Sequence, residues 1–584
     1  MIQKTIRDFR DRKFGMFLHW GLYSVPGGRW RGQTMDYIGE WIQSKYRISN
    51  REYAALAREF RPVRFDAAAW MDKAAAAGMK YIVYTAKHHD GFAMYHSKAS
   101  DFNIVDATPF GRDPLAELAV ECRSRGMGLG IYYSHYLDWH EADGGDPGPD
   151  FPRNLGGMSW GNDWDFPDRK RKNFETCFRL KVLPQVTELL TGYGPVSVIW
   201  FDCPLDIEER FCRELRDLVH RLQPGCLINS RIGHGCGDYD SLGDNQIPGG
   251  RPARIAEIPG TLNDTWGFKF DDHNWKTPEQ VIGQLTALAE QNANYLLNVG
   301  PRPDGAFPEE TDRILDAAAG WYRRNGKGIF RSTGTPFPQS LDFAYCTVTG
   351  NRLHFFLKES GREITLRGIR TPLIRSDVPF RRTGDALTLR LPSFGGCFLP
   401  RVTLEFDGAP LVETRLCPQA GKLNLTPAVA KLVDGSRTAA DTAMAVNVAG
   451  ERADHAGRCR LEADGTLSDW HLPGSRVEWE LFFPESGTFR VSAVTRNRFH
   501  SIPWAGNREI ELTWRGRSVA GRLRPDRRLP DPYYAAAETE LGELTVAGGE
   551  SGTLSLHTRT VFSDDALRMN LVNLQFTRKE KRNE

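Results

Sequence analysis

The chain has 584 residues, more than one hydrophobic core usually serves, so two or three domains are expected. Its 40% apolar and 26% charged residues are ordinary for a globular protein, and 76 basic against 74 acidic residues leave a net charge of +2. That balance gives no electrostatic reason to expect nucleic acid or an anionic membrane as a partner. No apolar run approaches the ~18 residues that a membrane span requires.

The amino terminus and the cysteines bear on the cellular compartment. Residues 1–20, MIQKTIRDFRDRKFGMFLHW, lack the apolar segment of a secretory signal. The ten cysteines are scattered without a C-x-x-C pair, which argues against a zinc ribbon and against a disulfide framework. We therefore expect a cytoplasmic protein with reduced thiols, or a secreted or periplasmic one if a leader has been removed.

Residues 1–332 repeat a unit of an amphipathic helix followed by a short buried strand. In the first clear copy, a helix is predicted to begin after Asp66 and to stop at Gly78, with a strand at 81–85. Later copies predict strands at 128–134, 196–201, 227–229 and 295–299, and apolar runs near 14–20 and 255 bring the total to seven. This alternation indicates a parallel sheet, and without a G-x-G-x-x-G helix start it favours a (β/α)8-like barrel.

From residue 333 onwards the pattern changes to the period-two alternation of antiparallel strands. Segments such as RLHFFLK, EITLRGI and VTLEFD predict a β-sandwich over residues 333–410. A linker is predicted at 411–430, and a second β-sandwich at 431–584, similar in general style to carbohydrate-binding modules. There, Trp470, Trp504 and Trp514 are either sugar-stacking platforms or, as is more ordinary, core residues. The predicted fold class is α/β plus all-β.

A polar or titratable side chain stands at the predicted carboxyl end of each barrel strand. In chain order these residues are His19, His88 with His89, Tyr133, Asp202, Arg231, Glu257 and Asn298. The carboxyl ends of barrel strands form one mouth, so the side chains are predicted to line a common polar pocket. Its aromatic walls are predicted to come from Tyr37, Trp41, Tyr133, Trp200 and Trp266.

Two carboxylates are candidates for a catalytic pair. Asp202 closes the apolar run VSVIWFD, and Glu257 stands in IAEIPG. A carboxylate at a buried strand end loses hydration unless partners stabilise it, so its presence calls for a function. The structural alternatives are a helix N-cap for Asp202, although Asp206 fits that cap better, and a salt bridge for Glu257. A nucleophilic carboxylate with a second carboxyl ~5–5.5 Å away is the arrangement of retaining glycoside hydrolysis.

Several long motifs occur together and in order over residues ~10–330: FGMFLHWGLYSVPGG, YIGEW, KHHDGF, IYYS with LDW, WFD, NSR, TLNDTWGF and LLNVGPRPDG. This set resembles the α-L-fucosidases of glycoside hydrolase family 29. The resemblance implies a retaining exo-α-L-fucosidase that releases terminal α-L-fucose from oligosaccharides or glycoconjugates through a covalent glycosyl-enzyme intermediate. It implies no cofactor and no metal.

The resemblance also implies roles for individual residues. Asp202 is expected to be the nucleophile, and Arg231 is expected to steady that nucleophile or a hydroxyl. The residues expected to surround fucose are His19, Glu40, Trp41, His88, His89, Tyr133, Trp200 and Trp266. The acid/base is expected to be Glu257, with Asp244 as the alternative, because many family members carry Trp-Glu where this chain has Ala256-Glu257.

The adjacent histidines His88 and His89 have three possible roles: sugar contact, structural hydrogen bonding, or metal binding. A metal would need further ligands in a suitable geometry, whereas a neutral imidazole offers one donor and one acceptor to sugar hydroxyls. Sugar contact is therefore favoured, and Asp90 is expected to brace the following turn.

Three functional alternatives stay open at this stage. They are a catalytically silent fucose-binding protein, a related glycosidase acting on α-L-galactosides and, more remotely, a metal hydrolase. Linkage preference, hydrolysis against transfucosylation, and self-association also stay open, and the loop at 141–164 is expected to influence specificity.

Overall fold

The computed structural model describes residues 2–148, 151, 157–433, 435–437, 459–462, 464–470, 475–497, 504–506, 508–530, 534–562 and 569–579. Three units follow one another along the chain. The first is a parallel sheet surrounded by helices, and the other two are built from mainly antiparallel sheets.

The first unit is a curled sheet of eight parallel strands. They are β1 (Phe14–Leu18), β2 (Tyr81–Lys87), β3 (Gly128–Ser134), β4 (Val196–Asp202), β5 (Leu227–Ile228), β6 (Asp240–Ser241), β7 (Ala256–Gly260) and β8 (Asn294–Val299). Their order in the sheet is β5-β4-β3-β2-β1-β8-β7-β6. One parallel bridge between Asn229 and Tyr239 joins the two edge strands, so the sheet closes on itself. The predicted (β/α)8-like fold is confirmed, and the strand missed from the sequence is the two-residue β6.

Helices alternate with these strands and cover the outer face of the sheet. They are α1 (Ile2–Arg12), α2 (Ala67–Ala76), α3 (Pro114–Ser124), α4 (Leu183–Gly192), α5 (Glu209–Leu222), α6 (Pro278–Glu290) and α7 (Glu309–Asn325), with short helices at Ile42–Lys45, Asn50–Ala55 and Phe174–Cys177. Asp66 caps α2 by accepting from the Ala69 N–H at 3.0 Å. Gly78, with φ of +94°, ends it as predicted. Among the described residues, no helix combines the length and apolar character needed to cross a membrane.

The side chains of the barrel strands divide between two cores. Alternate residues point inward, where Phe17, Tyr81, Tyr132 and Trp200 form a mainly aromatic interior. The residues between them point outward and pack against the helices in the large cluster that contains Tyr133. Because the interior is filled by large rings, the open space of a ligand site has to lie above them, at one end of the barrel.

The second unit packs two antiparallel sheets together. Its strands are β9 (Ala344–Thr349), β10 (Arg352–Leu357), β11 (Glu363–Leu366), β12 (Leu373–Ser376), β13 (Phe380–Thr383), β14 (Ala386–Arg390) and β15 (Arg401–Phe406). The sheet orders are β9-β10-β15-β12 and β11-β14-β13. The unit packs on the barrel through Trp321, whose indole N–H donates to the carbonyls of Phe398 and Leu399.

The third unit is a larger pair of mainly antiparallel sheets. Its strands are β16 (Lys422–Leu425), β17 (Lys431–Val433), β18 (Gly435–Arg437), β19 (Cys459–Leu461), β20 (Leu467–Ser468), β21 (Arg476–Phe483), β22 (Gly487–Asn497), β23 (Arg508–Trp514), β24 (Arg517–Arg522), β25 (Arg527–Leu529), β26 (Ala536–Val546), β27 (Glu550–Val561) and β28 (Met569–Arg578). Because β16 pairs with β28, part of the predicted linker 411–430 belongs to this unit. Trp470 and Trp514 are buried in its core, which excludes them as exposed sugar platforms, and Trp504 packs against that core half-buried.

Candidate active site

The candidate site lies at the carboxyl ends of the barrel strands. The polar side chains come from five strand ends: His19 after β1, His88 and His89 after β2, Asp202 at the end of β4, Arg231 in the turn after β5, and Asp244 in the loop after β6. Because all strands are parallel, these ends meet at one rim of the barrel, as the sequence predicted.

Asp202 is held by hydrogen bonds to both of its carboxylate oxygens. Arg231 Nη1 lies 3.2 Å from Oδ1, and the Tyr132 hydroxyl donates to Oδ2 at 3.1 Å. His89 Nε2 lies 4.0 Å from the same Oδ2. The side chain keeps 13% of its surface exposed. Asp202 is therefore a fixed carboxylate, balanced by one guanidinium and still open to a ligand.

Arg231 links Asp202 to a second carboxylate, Asp244. Its Nη2 donates to Asp244 Oδ1 and, at 3.1 Å, to the Leu242 carbonyl. Its guanidinium lies 4.8 Å above the ring of Trp200. Loss of hydration, and then the negative charge of Asp202, raise the pKa of Asp244, although Arg231 acts in the opposite direction and 40% of the Asp244 side chain stays exposed. The mouth thus holds two carboxylates of different character within reach of one arginine.

Glu257 lies elsewhere, which contradicts its predicted role as the acid/base. Strand β7 continues for three residues beyond it, so Glu257 is below the rim and 0% exposed. Its carboxylate accepts hydrogen bonds from the Tyr81 hydroxyl at 2.7 Å, the Trp200 indole at 2.8 Å and the Tyr239 hydroxyl at 3.2 Å. With three interior partners and no exposed surface, Glu257 organises the barrel interior beneath the site.

The buried position of Glu257 leads to a prediction on stability. Burial raises the pKa of Glu257 to about 7, above the ordinary value near 4.3. The unfolded chain therefore loses this proton at lower pH than the folded chain, and stability falls as pH rises from about 4 to about 7. Glu257→Gln has no proton to lose, so we expect its apparent melting temperature to rise relative to wild type across that window. Thermal scans of both proteins at pH 4.5, 6 and 8 measure the difference. A difference that does not change with pH would contradict the prediction.

Three histidines line the mouth, and burial lowers the pKa of each. The pKa of His19 and of His89 falls to about 3, and that of His88 falls well below its usual value. His19 Nδ1 pairs with Asn298 Oδ1 at 2.7 Å, and His89 Nδ1 pairs with Ser134 Oγ at 2.7 Å. At neutral pH these rings are uncharged, and their orientation is set by these partners.

His88 differs from the other two histidines because its Nδ1 has no hydrogen-bond partner among the described residues. Its ring stacks on Tyr132 with centroids 5.5 Å apart and an interplanar angle of 7°. Asp90 does brace the following turn: it accepts from the Phe92 N–H at 3.2 Å and from the Tyr53 hydroxyl at 2.8 Å. His88 Nδ1 is thus a buried polar atom without a partner among the described residues, whereas both carboxylate oxygens of Asp90 have protein donors.

Glu40 and Trp41 close one side of the mouth. Glu40 accepts from the Gly267 N–H at 2.9 Å, which ties this turn to the segment that carries Trp266. Burial raises the pKa of Glu40 to about 7. Trp41 meets the His89 ring edge-on, with centroids 5.2 Å apart.

The aromatic surroundings differ from the prediction at one position. Trp266 lies half-buried beside His19, with ring centroids 5.1 Å apart. Trp200 forms the floor of the mouth and is almost wholly buried. Tyr133, by contrast, points outward, and its hydroxyl donates to Gln185 on α4 at 2.8 Å.

Tyr132 takes the place that the sequence assigned to Tyr133. It lies in register with Trp200 on β4, and neighbouring residues in register on parallel strands face the same side. Tyr132 therefore points inward to Asp202, and Tyr133 points outward. The signal that could have identified it was the spacing within β4, where the inward pair Trp200 and Asp202 sets the face that the neighbouring strand shares.

One group of potential metal ligands occurs within the described ranges. Ligand atoms of His89, Asp202 and Cys203 lie within 4.8 Å of one another. Burial raises the pKa of the Cys203 thiol well above its usual value, which opposes formation of a thiolate. Arg231 already supplies positive charge to Asp202. These residues therefore suit an ion pair better than a cation site.

Known proteins that are similar to this chain share one functional description. Residues 2–327 match the sequence model of a family described as Alpha-L-fucosidase. The tissue α-L-fucosidase of Rattus norvegicus is 28% identical over 352 residues, covering 56% of this chain and 70% of that protein. The structure of an α-L-fucosidase from Vibrio sp. strain EJY3 has a TM-score of 0.81 and 26% identity over 98% of both chains. The α-L-fucosidase AlfC from Lactobacillus casei, solved with its α-L-fucose product, is 46% identical with a TM-score of 0.52, covering 54% of this chain and 98% of its own.

Proposed function

The chain belongs to the α-L-fucosidase family of glycoside hydrolases, and from this premise we propose that it is a retaining exo-α-L-fucosidase. The observation that carries the proposal is the pair of mouth carboxylates, Asp202 and Asp244, that Arg231 contacts through its two terminal nitrogens. A guanidinium that contacts both carboxylates holds them near each other, and a double-displacement mechanism requires a closely spaced pair of carboxyl groups.

In the first step, Asp202 attacks the anomeric carbon of an α-L-fucoside. The bond to the departing oxygen breaks as Asp244 donates its proton to that oxygen, which leaves as an alcohol. The product on the enzyme is a β-linked fucosyl ester of Asp202. The roles follow from the surroundings: Asp202 has Arg231 and Tyr132 as donors, whereas loss of hydration and the charge of Asp202 raise the pKa of Asp244.

In the second step, Asp244 acts as a base. It removes a proton from water while the water oxygen attacks the anomeric carbon and the ester bond to Asp202 breaks. The two inversions return the α configuration, and Asp244 regains the proton that it gave up. An acceptor alcohol in place of water would give a fucosyl transfer product by the same bond changes.

The neutral histidines suit recognition of a sugar. His88 Nδ1 lacks a protein partner among the described residues, and His19 and His89 are each fixed through Nδ1. A pocket of neutral donors and acceptors above aromatic rings complements a sugar, whose hydroxyls form its rim and whose ring faces are apolar. We assign His19, His88, His89, Glu40, Trp41 and Trp266 to fucose contact on this basis.

The direct test is the stereochemistry of hydrolysis of 4-nitrophenyl α-L-fucoside, followed by proton NMR. The proposal expects α-L-fucose as the first sugar product, with slower mutarotation to the β form. First appearance of β-L-fucose would contradict a retaining mechanism. Binding of fucose without turnover would indicate a catalytically silent binding protein. Faster hydrolysis of the α-L-galactoside would show that α-L-galactosides are the preferred substrates.

A further inference from the structure

The loop that carries Asp244 touches the third unit of the chain. After β6 the chain runs through residues 242–255 before it enters β7. Within this loop, the Gln246 side-chain amide donates to the Tyr534 hydroxyl of the third unit. The Gly249 N–H donates to the Asp464 carbonyl oxygen at 2.5 Å. The acid/base loop is therefore fastened at two points to a β-sandwich more than 200 residues away in sequence.

On the third unit, these two points are connected to each other. The Arg496 guanidinium lies 3.8 Å from the centre of the Tyr534 ring and pairs with the Asp464 carboxylate. Asp464 is fixed in turn by the backbone and hydroxyl of Thr466, at 3.0 and 2.7 Å. Arg496 and Asp464 are both buried. The surface offered to the loop is thus a preformed arrangement rather than two separate contacts.

The backbone at this junction is shaped for close approach. A Cβ placed on Gly250 would fall 2.5 Å from the Ala428 side chain, and one on Gly465 would fall 3.0 Å from the Gly250 nitrogen. Real Cβ atoms essentially never approach to 2.5 Å, so a side chain at Gly250 would force a shift. At Gly465 the contact is tight, and its φ of +80° also favours glycine. This packing indicates a built contact between the loop and the third unit.

The same loop is held by the barrel on the side of the active site. Arg231 binds the Leu242 carbonyl and the Asp244 carboxylate. The Asn245 side-chain oxygen accepts from the Thr261 N–H at 2.9 Å. Gln246 folds back so closely that a Cβ on Gly243 would fall 2.4 Å from its side-chain amide. A shift of Gln246 would therefore be transmitted to the residue that precedes Asp244.

We propose that the third unit positions the acid/base loop, with Tyr534 as the positioning residue that acts on Asp244 through Gln246. This inference rests on the proposed role of Asp244. A general acid has to lie within hydrogen-bond reach of the departing oxygen, and small displacements of a catalytic group have large effects on rate. The third unit would thus be needed most for substrates whose leaving group depends on protonation.

The test compares Tyr534→Phe with Gln246→Leu, which break the same contact from opposite sides. Two substrates are used: 4-nitrophenyl α-L-fucoside, whose leaving group needs little protonation, and methyl α-L-fucoside, whose leaving group needs a full proton. Tyr345→Phe, a half-buried tyrosine of the second unit, is the matched control. We expect each variant to lower kcat/KM for the methyl fucoside by about three- to tenfold, the range of one neutral hydrogen bond, with less than about a twofold change for the nitrophenyl fucoside. The double variant should show no further loss, because the two changes remove one contact.

A purely structural role would give a different pattern. Equal losses on both substrates, or a lower melting temperature with unchanged kcat/KM for both, would overturn the inference. Asp244→Ala is measured alongside on the same two substrates. If the loss of activity in Asp244→Ala does not depend on the leaving group, the proposed role of Asp244 fails. If that loss depends on the leaving group but the losses in Tyr534→Phe and Gln246→Leu do not, only the positioning inference fails.

Discussion

Replacement of Asp202 by asparagine is expected to lower kcat for 4-nitrophenyl α-L-fucoside by at least about 10⁴-fold, the size of effect seen when a catalytic unit loses its nucleophile. Asparagine has nearly the same shape and its oxygen can still accept from Arg231 Nη1, so the loss should come from chemistry rather than from misfolding. The reason is that the amide cannot form the ester bond on which both steps depend. Steady-state kinetics with the nitrophenyl substrate, together with a melting curve of the variant, measure the effect.

Asp206→Asn is the matched control for Asp202→Asn. Asp206 lies four residues further along the chain and accepts from the Tyr136 hydroxyl at 2.7 Å, but it makes no contact with Arg231 among those described. We expect that variant to keep activity within about threefold of wild type, as surface substitutions away from a site usually do. Azide added to Asp202→Ala should give β-L-fucosyl azide, because the anion attacks from the face that Asp202 occupied. Activity of Asp202→Asn near that of wild type would remove Asp202 from the nucleophile role.

The fold could be predicted from the sequence because its helices and strands carry strong local signals. Asp66 and Gly78 mark the two ends of α2, and the fully buried β2 follows at once. The helices that precede six of the eight strands indicated parallel pairing before any contact was known. Seven of the eight barrel strands were identified in this way, and the family resemblance seen in the motifs is confirmed by the match over residues 2–327.

The site was predicted less completely because the faces of strands cannot be read from an unbroken apolar run. In GLGIYYS both tyrosines follow apolar residues, and nothing local decides whether Tyr132 or Tyr133 faces the interior. The decision comes from register with β4, where Tyr132 lies beside Trp200. An error of one residue exchanges the two faces.

The sequence ranked Glu257 above Asp244 as the acid/base for a similar reason. Glu257 is an acid in an apolar strand, which is a strong sequence signal, but the strand runs on to Gly260 and leaves the carboxylate inside. Asp244 follows a strand of two residues, too short to show alternation, and stands in a polar loop, so the sequence ranked it only as the alternative. Only the position of Arg231, 13 residues earlier in the chain, shows that this acid belongs to the mouth.

Asp244→Ala is expected to lower kcat/KM for methyl α-L-fucoside by about 10³-fold, within the range for loss of general acid catalysis. Its effect on kcat/KM for 4-nitrophenyl α-L-fucoside should be much smaller, because nitrophenolate leaves without protonation. Its kcat should still fall, since no base activates water in the second step. Azide needs no base, so it should restore turnover and give α-L-fucosyl azide, with the configuration of the substrate retained.

The pH dependence gives an independent readout of the same residue. Wild-type kcat/KM for the methyl fucoside should fall as pH rises through the pKa of Asp244, because only the protonated acid assists departure. Loss of hydration and the charge of Asp202 raise that pKa, which moves the fall toward higher pH. In Asp244→Ala this decrease of kcat/KM at high pH, the alkaline limb of the pH profile, should disappear. Glu257→Gln is the matched carboxyl control: it should keep the limb, the leaving-group dependence and insensitivity to azide, because Glu257 bonds only to interior partners among the residues described. If Glu257→Gln lost the alkaline limb and responded to azide while Asp244→Ala did not, the acid/base would be Glu257, and the barrel interior would have to open for substrate to reach it.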